Sequence, residues 1–534
     1  MRRLVLLGVA VGACVSQARP SAEGPADRVV RWRGAVRFQA RTPTPTGASR
    51  TMEWRPAAHV RVDALDGEGA VVGHTRTDEA GRFELEASPR ARELRVVAHL
   101  RHAGWDLAVT RDAAGEVDHH YHVLLGDPTQ AVDVAVPDTH EASGAFHILA
   151  SLWRGAQAVQ QWTGRPLPPF FAYWARGVTT NWSFYVGDRG TGRYAIELLG
   201  GEAERRTVTD TDEHDEMIVL HEFGHFVMDV LSSDSSDGGQ HPRGFLLVPG
   251  LAWEEARATW FAAAVSRSPL YQDTIGLEPA GRLRLSHDLE RGDRTEVRGL
   301  GSESGAAEIL WDLADGADGL ADQDADGVAL GPAQLLAAMA ELGQQPGAHP
   351  AISTFLRFLV STGRVRADQV KRILVLGGHP TTLLPQDDEH VWPPTLALPA
   401  TVAGKIDGLS DPAPSGGPPR PLNGQDAVAV YRFEIVDPAW VSATLEIFGT
   451  GSAEDRSDLD LELRDIRAEL LDSSRGESGR EIVSQPLQPG WYVVYVRDGG
   501  EGNRAGYELR IEARQVRGGS HRPPPTAEPR VEGR

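Results

Sequence analysis

A single cysteine, Cys14, stands in a chain of 534 residues. No intramolecular disulfide can form, so stability has to come from packed apolar cores, and a hydrophobic content of 41% over this length is enough to build several. Positive charge is also scarce: 54 Lys and Arg against 75 Asp and Glu leave a net charge of −21. Such an acidic surface favours solubility and argues against nucleic acid as a partner. Long hydrophobic runs are lacking too. After Arg2 and Arg3, Leu4 to Ala13 supplies only about ten apolar residues, half of the roughly 20 that span a bilayer. That pattern reads as a signal peptide, and no other stretch could be a membrane span.

What the chain does carry is HEFGH at 221–225. His221 and His225 are four apart, so a helix places both imidazoles on one face, one turn apart, within reach of a single zinc ion. Glu222 is angled beside that position, where a carboxylate can take a proton from water activated by the metal and pass it to a departing amine. Upstream, DTDEHDEMIVL offers Thr211 or Asp212 as an N-cap, acids in the first turn, and an apolar stripe from Met217 to Leu220. A largely buried helix is predicted there.

Zinc needs a third protein ligand and an open fourth position. The metzincin arrangement is excluded, because the places of its Gly and third His hold Met228 and Leu231. Thirty residues beyond His225, LAWEEARATWFAAAV repeats apolar residues at helical spacing and carries Glu254 and Glu255 side by side. Here the chain resembles the glutamate-zincin metallopeptidases, which pair an HExxH helix with a Glu from a second helix. It is similar in particular to exported bacterial peptidases that read D-x-D-E-x-D, HE-[FY]-GH, GG-x-H and A-W-x-E-G-W-A in order. The corresponding segments are DTDEHD at 210–215, HEFGH, GGQH at 238–241 and AWEEARA at 252–258. The resemblance implies that Glu255 is the third ligand. Packing favours the same residue: were Glu254 inward, the cationic Arg257 would lie near the ion. Ala256 and Arg257 depart from the usual Gly-Trp, and Thr259 stands where thermolysin-like enzymes carry an Asp that orients a ligand.

Val11-Gly12-Ala13-Cys14 resembles the lipobox of bacterial lipoproteins, which implies a lipoprotein signal segment over 1–14 in which Cys14 becomes the lipidated N-terminus after cleavage, and a tether over 15–28. Strand-like runs over 29–136 predict a small antiparallel β-sandwich, and Thr77 to Phe83 resembles the carboxypeptidase regulatory-like domain. His119, His120 and His122 cluster within it and read as solvated histidines. Residues 137–395 form the expected α+β zincin-like catalytic domain. It has a helix from Ser143, strands in NWSFYVG and YAIELLG, a helix over 304–314, and helices near 332–342 and 365–375. DQDADG places Asp322, Asp324 and Asp326 like the start of a calcium loop, but the twelfth position is Ala333, and a solvated acidic loop is the expectation. A Pro/Gly-rich linker over 396–421 precedes six alternating strand candidates in 422–515, whose Tyr431-Arg432-Phe433, Asp458 to Leu461, Pro489 to Tyr492 and Tyr507 to Leu509 resemble the bacterial pre-peptidase C-terminal domain. Residues 516–534 read as a disordered tail.

The sequence therefore predicts a multidomain protein: an N-terminal β-sandwich, an α+β catalytic domain and a C-terminal β-sandwich. The expected activity is that of an exported, lipid-anchored zinc endopeptidase, monomeric, acting on protein or peptide, in the cell envelope or secreted. His221, His225 and Glu255 are its zinc ligands and Glu222 its base and acid; His241 or His287 would supply a hydrogen bond to the oxyanion. The competing readings are a non-catalytic surface lipoprotein braced by zinc and a zinc hydrolase of small amides or sugars. A bracing site has no need of the carboxylate at 222.

Overall fold

The computed structural model describes residues 29–515, apart from the segments 45–46, 181, 188–191, 203, 206–207, 234, 237, 240, 242–243, 245, 277–281, 322–325, 388–390, 407–427, 450–457, 477–478 and 499–504. Cys14, the tether, the tail, Asp322 and Asp324 lie outside the described residues. Among those described, no helix is long and apolar enough to cross a membrane.

Period-two alternation builds the first strands, as in RFELEA, whose Phe83, Leu85 and Ala87 face inward between exposed Arg and Glu. Nine strands come before the first helix: β1 (Val30–Thr44), β2 (Gly47–Pro56), β3 (Val60–Asp66), β4 (Val71–Arg76), β5 (Arg82–Ala87), β6 (Ala91–His102), β7 (Trp105–Thr110), β8 (His120–Leu124) and β9 (Val132–Val136). One sheet has the order β2-β1-β5, and β9 also pairs with β1. Facing it is a larger sheet in the order β4-β3-β6-β7, which continues through β10 (Phe170–Tyr173) and β12 (Tyr194–Glu197) to β11 (Phe184–Tyr185), with β8 on β6.

Two expectations are corrected here. The sandwich is not purely antiparallel, since β9 runs parallel to β1 and β10 parallel to both β7 and β12. Nor does its sheet end at residue 136. Helix α1 (Glu141–Thr163) supplies the crossover that a parallel pairing requires, and its apolar face covers the sheet it crosses. The Phe38 and Phe146 rings stack 6.1 Å apart, and Trp105 meets Phe223 at 6.3 Å, so strands and helices share one core. The histidines of HHYH are also split by alternation. His119, just before β8, is buried with Nε2 2.7 Å from the Trp174 carbonyl and is not solvated, whereas His122, in β8, has Nδ1 2.9 Å from Glu93.

Six further helices follow α1: α2 (Glu216–Leu231), α3 (Pro249–Ser266), α4 (Glu303–Ala314), α5 (Gly331–Gly343), α6 (Ile352–Ser361) and α7 (Ala367–Leu376). α2 starts later than predicted, with Asp215 at the N-cap, because Asp212 receives a bond from Ser183 and so belongs to the preceding turn. α3 is buried on every side from Pro249 to Ala264 rather than on one face. It crosses α2 closely at Gly224, where a Cβ would meet the Ala258 Cα at 3.0 Å. A hairpin of β13 (Leu270–Ile275) and β14 (Arg282–Asp288) lies against α2 and α3.

The C-terminal region is a two-sheet structure. The six anticipated strands are present as β17 (Val428–Ile435), β18 (Ala439–Gly449), β19 (Leu459–Asp465), β21 (Arg480–Leu487), β22 (Gly490–Asp498) and β23 (Ala505–Gln515), joined by β15 (Thr395–Leu396), β16 (Ala400–Ile406) and β20 (Leu470–Ser474). Sheets β15-β17-β22-β19-β20 and β16-β23-β18-β21 enclose a core that includes Phe433, Leu461, Val494, Val441 and Leu509. The expected linker is corrected accordingly. ATVAGKI alternates in burial and pairs along its whole length with β23, so residues 400–406 are part of the second sheet. This unit packs on the helical region through Tyr495, Val493, Trp392 and Ala351.

Candidate metal centre

α2 places His221 and His225 one turn apart, and α3 presents Glu255 to both. His221 Nε2 lies 3.1 Å from Glu255 Oε2 and 3.1 Å from His225 Nε2, and His225 Nε2 lies 3.3 Å from Glu255 Oε2. Two ligands of a tetrahedral zinc with bonds of about 2.0–2.1 Å are separated by about 3.3–3.4 Å, so the three atoms form one face of a coordination tetrahedron. The donor set, two imidazoles and one carboxylate, suits zinc. His221 Nδ1 is 3.1 Å from Thr259 Oγ1; when Nε2 holds an ion, Nδ1 carries the proton and donates to that hydroxyl. Thr259, one turn beyond Glu255 on α3, thus orients the histidine where an Asp was missing. The Tyr185 ring lies parallel to that of His225 at 6.4 Å, with its hydroxyl donating to Asp229 at 2.8 Å.

Glu254 points elsewhere. It is 3% exposed and accepts from Arg257, itself fully buried, which also donates to Ser232 Oγ at 3.1 Å and to the Ser233 carbonyl at 2.9 Å. In the fold it is half of a buried ion pair away from the centre. Arg257, which stands where the related motif has Trp, is the cation of that pair.

Burial pushes the Glu255 carboxyl up, but the charges and hydrogen bonds of His225 and His221, with His241, outweigh it and hold Glu255 well below the usual carboxylate range. For Glu222 burial prevails and its pKa is raised, against the pull of His221 and His225. Burial also lowers His241, yet the bond to Glu303 and the charges of Glu255, Glu303 and Glu222 carry its pKa up to about 9.

A cleft of about 700 Å³ opens over the centre, lined by His221, Glu222, His241, Tyr271, Trp182 and Phe184 among others. His241 sits beside the ligands, with Nε2 3.6 Å from Glu255 Oε2 and Nδ1 3.3 Å from Glu303 Oε2. His287 borders the same cleft, but its Nε2 lies 3.0 Å from the buried Glu308, whose carboxylate also meets Arg298 and His379. Burial would raise the Glu308 pKa; the His287 and His379 hydrogen bonds and Arg298 bring it down to about 2. His287 is therefore engaged by a carboxylate under the cleft wall. The expectation of a solvated acidic loop is corrected at Asp326, which is buried and accepts from Val328 N at 2.7 Å.

Sequence reasoning missed Tyr271. It is 6% exposed on β13, its ring centroid is 5.9 Å from that of His221, and it lines the cleft. Burial, with the charges of Asp273 and Glu222, raises its pKa well above 10, so the phenol keeps its proton. LYQDTI does not alternate, its four middle residues all being buried, and no spacing ties that strand to HEFGH.

No protein-family model and no curated protein matches the chain. Among solved structures it is weakly similar to the pre-peptidase C-terminal domain of a collagenase from Bacillus anthracis, at 16% identity over 22% of this chain and 92% of that one, with a TM-score of 0.16. It is similar also to PliG of Aeromonas hydrophila, a periplasmic inhibitor of g-type lysozyme (14% identity, 22% and 85% covered, TM-score 0.14). A 9R-lipoxygenase from Cyanothece matches at 16% identity over 29% of this chain and 27% of that enzyme, with a TM-score of 0.13.

Proposed function

We propose that the protein is a zinc-dependent peptidase. The observation that carries this reading is the triangle of His221 Nε2, His225 Nε2 and Glu255 Oε2, with sides of 3.1 to 3.3 Å, lying at a cleft that Glu222 also lines. Zinc held by these three residues would supply a Lewis-acid centre for water and for a carbonyl oxygen. The carboxylate of Glu222 takes a proton from the attacking water and delivers it to the amide nitrogen as the C–N bond breaks. Burial raises its pKa, the direction that makes a carboxylate a better proton acceptor. The Tyr271 hydroxyl, kept protonated, and the ring of His241 are the donors available to the developing oxyanion.

An extended peptide fits the cleft better than a small amide or sugar does. β11 is the outer strand of its sheet, and Phe184 within it and Trp182 just before it are half-exposed apolar groups on the cleft wall. A substrate strand can add to that edge through main-chain bonds while its side chains rest on Trp182 and Phe184. Export and lipid attachment at Cys14 complete the proposal, placing the enzyme in the cell envelope. The test is Glu222→Gln: zinc content stays at one per chain, and hydrolysis of unfolded casein falls by several orders of magnitude, because the base is removed and the ligands are not. Equal activity in the two proteins would refute the mechanism; chelator-insensitive activity would refute the metal.

A further inference from the structure

Asp210, Asp212 and Asp273 meet beside the cleft from two separate parts of the chain. The first two belong to the DTDEHD segment ahead of α2, and the third is in β13. A backbone bridge between Asp210 and Ile275 holds the segment against β13, and a bond from Asp212 N to the Leu199 carbonyl at 2.9 Å fixes it on the other side. One oxygen from each carboxylate lies within 4.8 Å of the other two. Calcium binds oxygen at about 2.3–2.6 Å, so two ligands of one ion can stand up to about 5 Å apart, and these three oxygens can share one.

A second observation points the same way. Arg284 approaches the cluster from one side only: it donates to Asp210 Oδ2, and its Nε is 3.7 Å from Asp273 Oδ2. The Oδ1 atoms of both residues are buried and have no hydrogen-bond partner among the described residues, and Asp273 is only 8% exposed. Buried carboxylate oxygens without a donor or a cation are costly, and each such group asks for an explanation. Asp212, 2% exposed, gains only a bond from Ser183. Burial, then the charges of Asp215 and Asp210, pushes Asp273 up to about 8, and burial with Asp273 and Asp210 raises Asp212 well above the carboxylate range. Asp212 and Asp273 line the cleft, which gives an ion a way in.

We propose that Asp210, Asp212 and Asp273 form a calcium site on the wall of the cleft. The donors are hard oxygens only, which suits calcium and not zinc, and water from the cleft completes the shell. The bound ion pins the turn before α2 to β13, the strand that carries Tyr271. The proposal does not depend on the zinc reading, because its donors are separate from His221, His225 and Glu255.

The experiment uses the full chain with zinc loaded, and terbium and calcium as probes. Arg284 stands over the Trp182 ring at 5.9 Å, so an ion among its carboxylate partners is close enough to an indole for sensitised emission. Terbium should give stoichiometric emission on tryptophan excitation, calcium should displace it, and calcium should raise Tm while zinc stays at one per chain. Asp273→Asn should weaken calcium binding tenfold or more. Its Tm in calcium-free buffer should equal or exceed that of the wild type, because Asn is neutral without the proton that Asp273 must take up to be buried beside other carboxylates, and that control separates lost binding from lost folding. No emission and no Tm shift in the wild type up to about 10 mM calcium, well above the range of extracellular calcium modules, would overturn the proposal. So would unchanged calcium affinity in both Asp273→Asn and Asp212→Asn, which would move the ion to the Asp326 loop. Calcium binding only when zinc is lost would also overturn it.

Discussion

Glu254 and Glu255 are adjacent, both buried and both acidic, yet their replacement by Gln should have opposite consequences. Glu254→Gln leaves Arg257, fully buried, without its counter-charge, while the bonds from Arg257 to Ser232 and Ser233 remain. Removing one partner of a buried ion pair costs about 3–5 kcal/mol, and the residual acceptor of Gln places this case near 3. At roughly 2 °C per kcal/mol for a large unit, Tm should fall by on the order of 6 °C. Zinc content should be unchanged, since Glu254 faces away from the ligand triangle. Glu255→Gln removes one of three ligands, and zinc affinity should drop by roughly 100-fold or more, beyond what loss of a supporting group costs. Elemental analysis after dialysis against a weak chelator, and melting curves with and without zinc, read the two effects separately. Loss of zinc in the 254 variant with retention in the 255 variant would mean that α3 presents its other face, and the site would have to be withdrawn.

Three further outcomes are expected. Tyr271→Phe should lower kcat by about 10²–10³-fold at unchanged zinc content, as removal of an oxyanion donor does; kinetics of casein cleavage indistinguishable from wild type would remove Tyr271 from the mechanism. Thr259→Val should weaken zinc by on the order of tenfold or more, because the acceptor that fixes the His221 tautomer is lost, and a competition titration with a chromogenic chelator measures it. Asp273 carries a pKa of about 8 in the fold against an unfolded value of about 4. It therefore holds a proton that the unfolded chain has released, so stability falls as pH rises between those values. Melting curves in calcium-free buffer should show Tm declining from pH 5 to pH 8, with a shallower decline in Asp273→Asn; a rising Tm in the wild type would contradict the placement of the cluster.

The candidate centre was legible in the sequence to the extent that its geometry is helical. Spacing of four put His221 and His225 on one face, and the motif resemblance with the charge of Arg257 favoured Glu255, which the fold does group with the two histidines. The strands of the C-terminal sheets were legible because two-residue alternation is equally local. Tyr271, the Thr259 hydroxyl on His221 and the gathering of Asp210, Asp212 and Asp273 were not. Each depends on which strand or helix packs beside α2, and β13 lies about fifty residues along the chain from it.

The same division explains the domain boundary. A change from period two to period 3.6 after residue 136 is a real change of local structure, and sequence alone determined that. Whether the sheet also ends there depends on hydrogen-bond partners, and the open edge of β7 is satisfied by β10, which follows a 23-residue helix. Burial faces and helix periods are properties of neighbouring residues and are written in sequence. Which edge a strand joins, which carboxylates are thereby forced together and which phenol is placed beside His221 are decided by long-range packing, because only the assembled core fixes the distances between segments that no period connects.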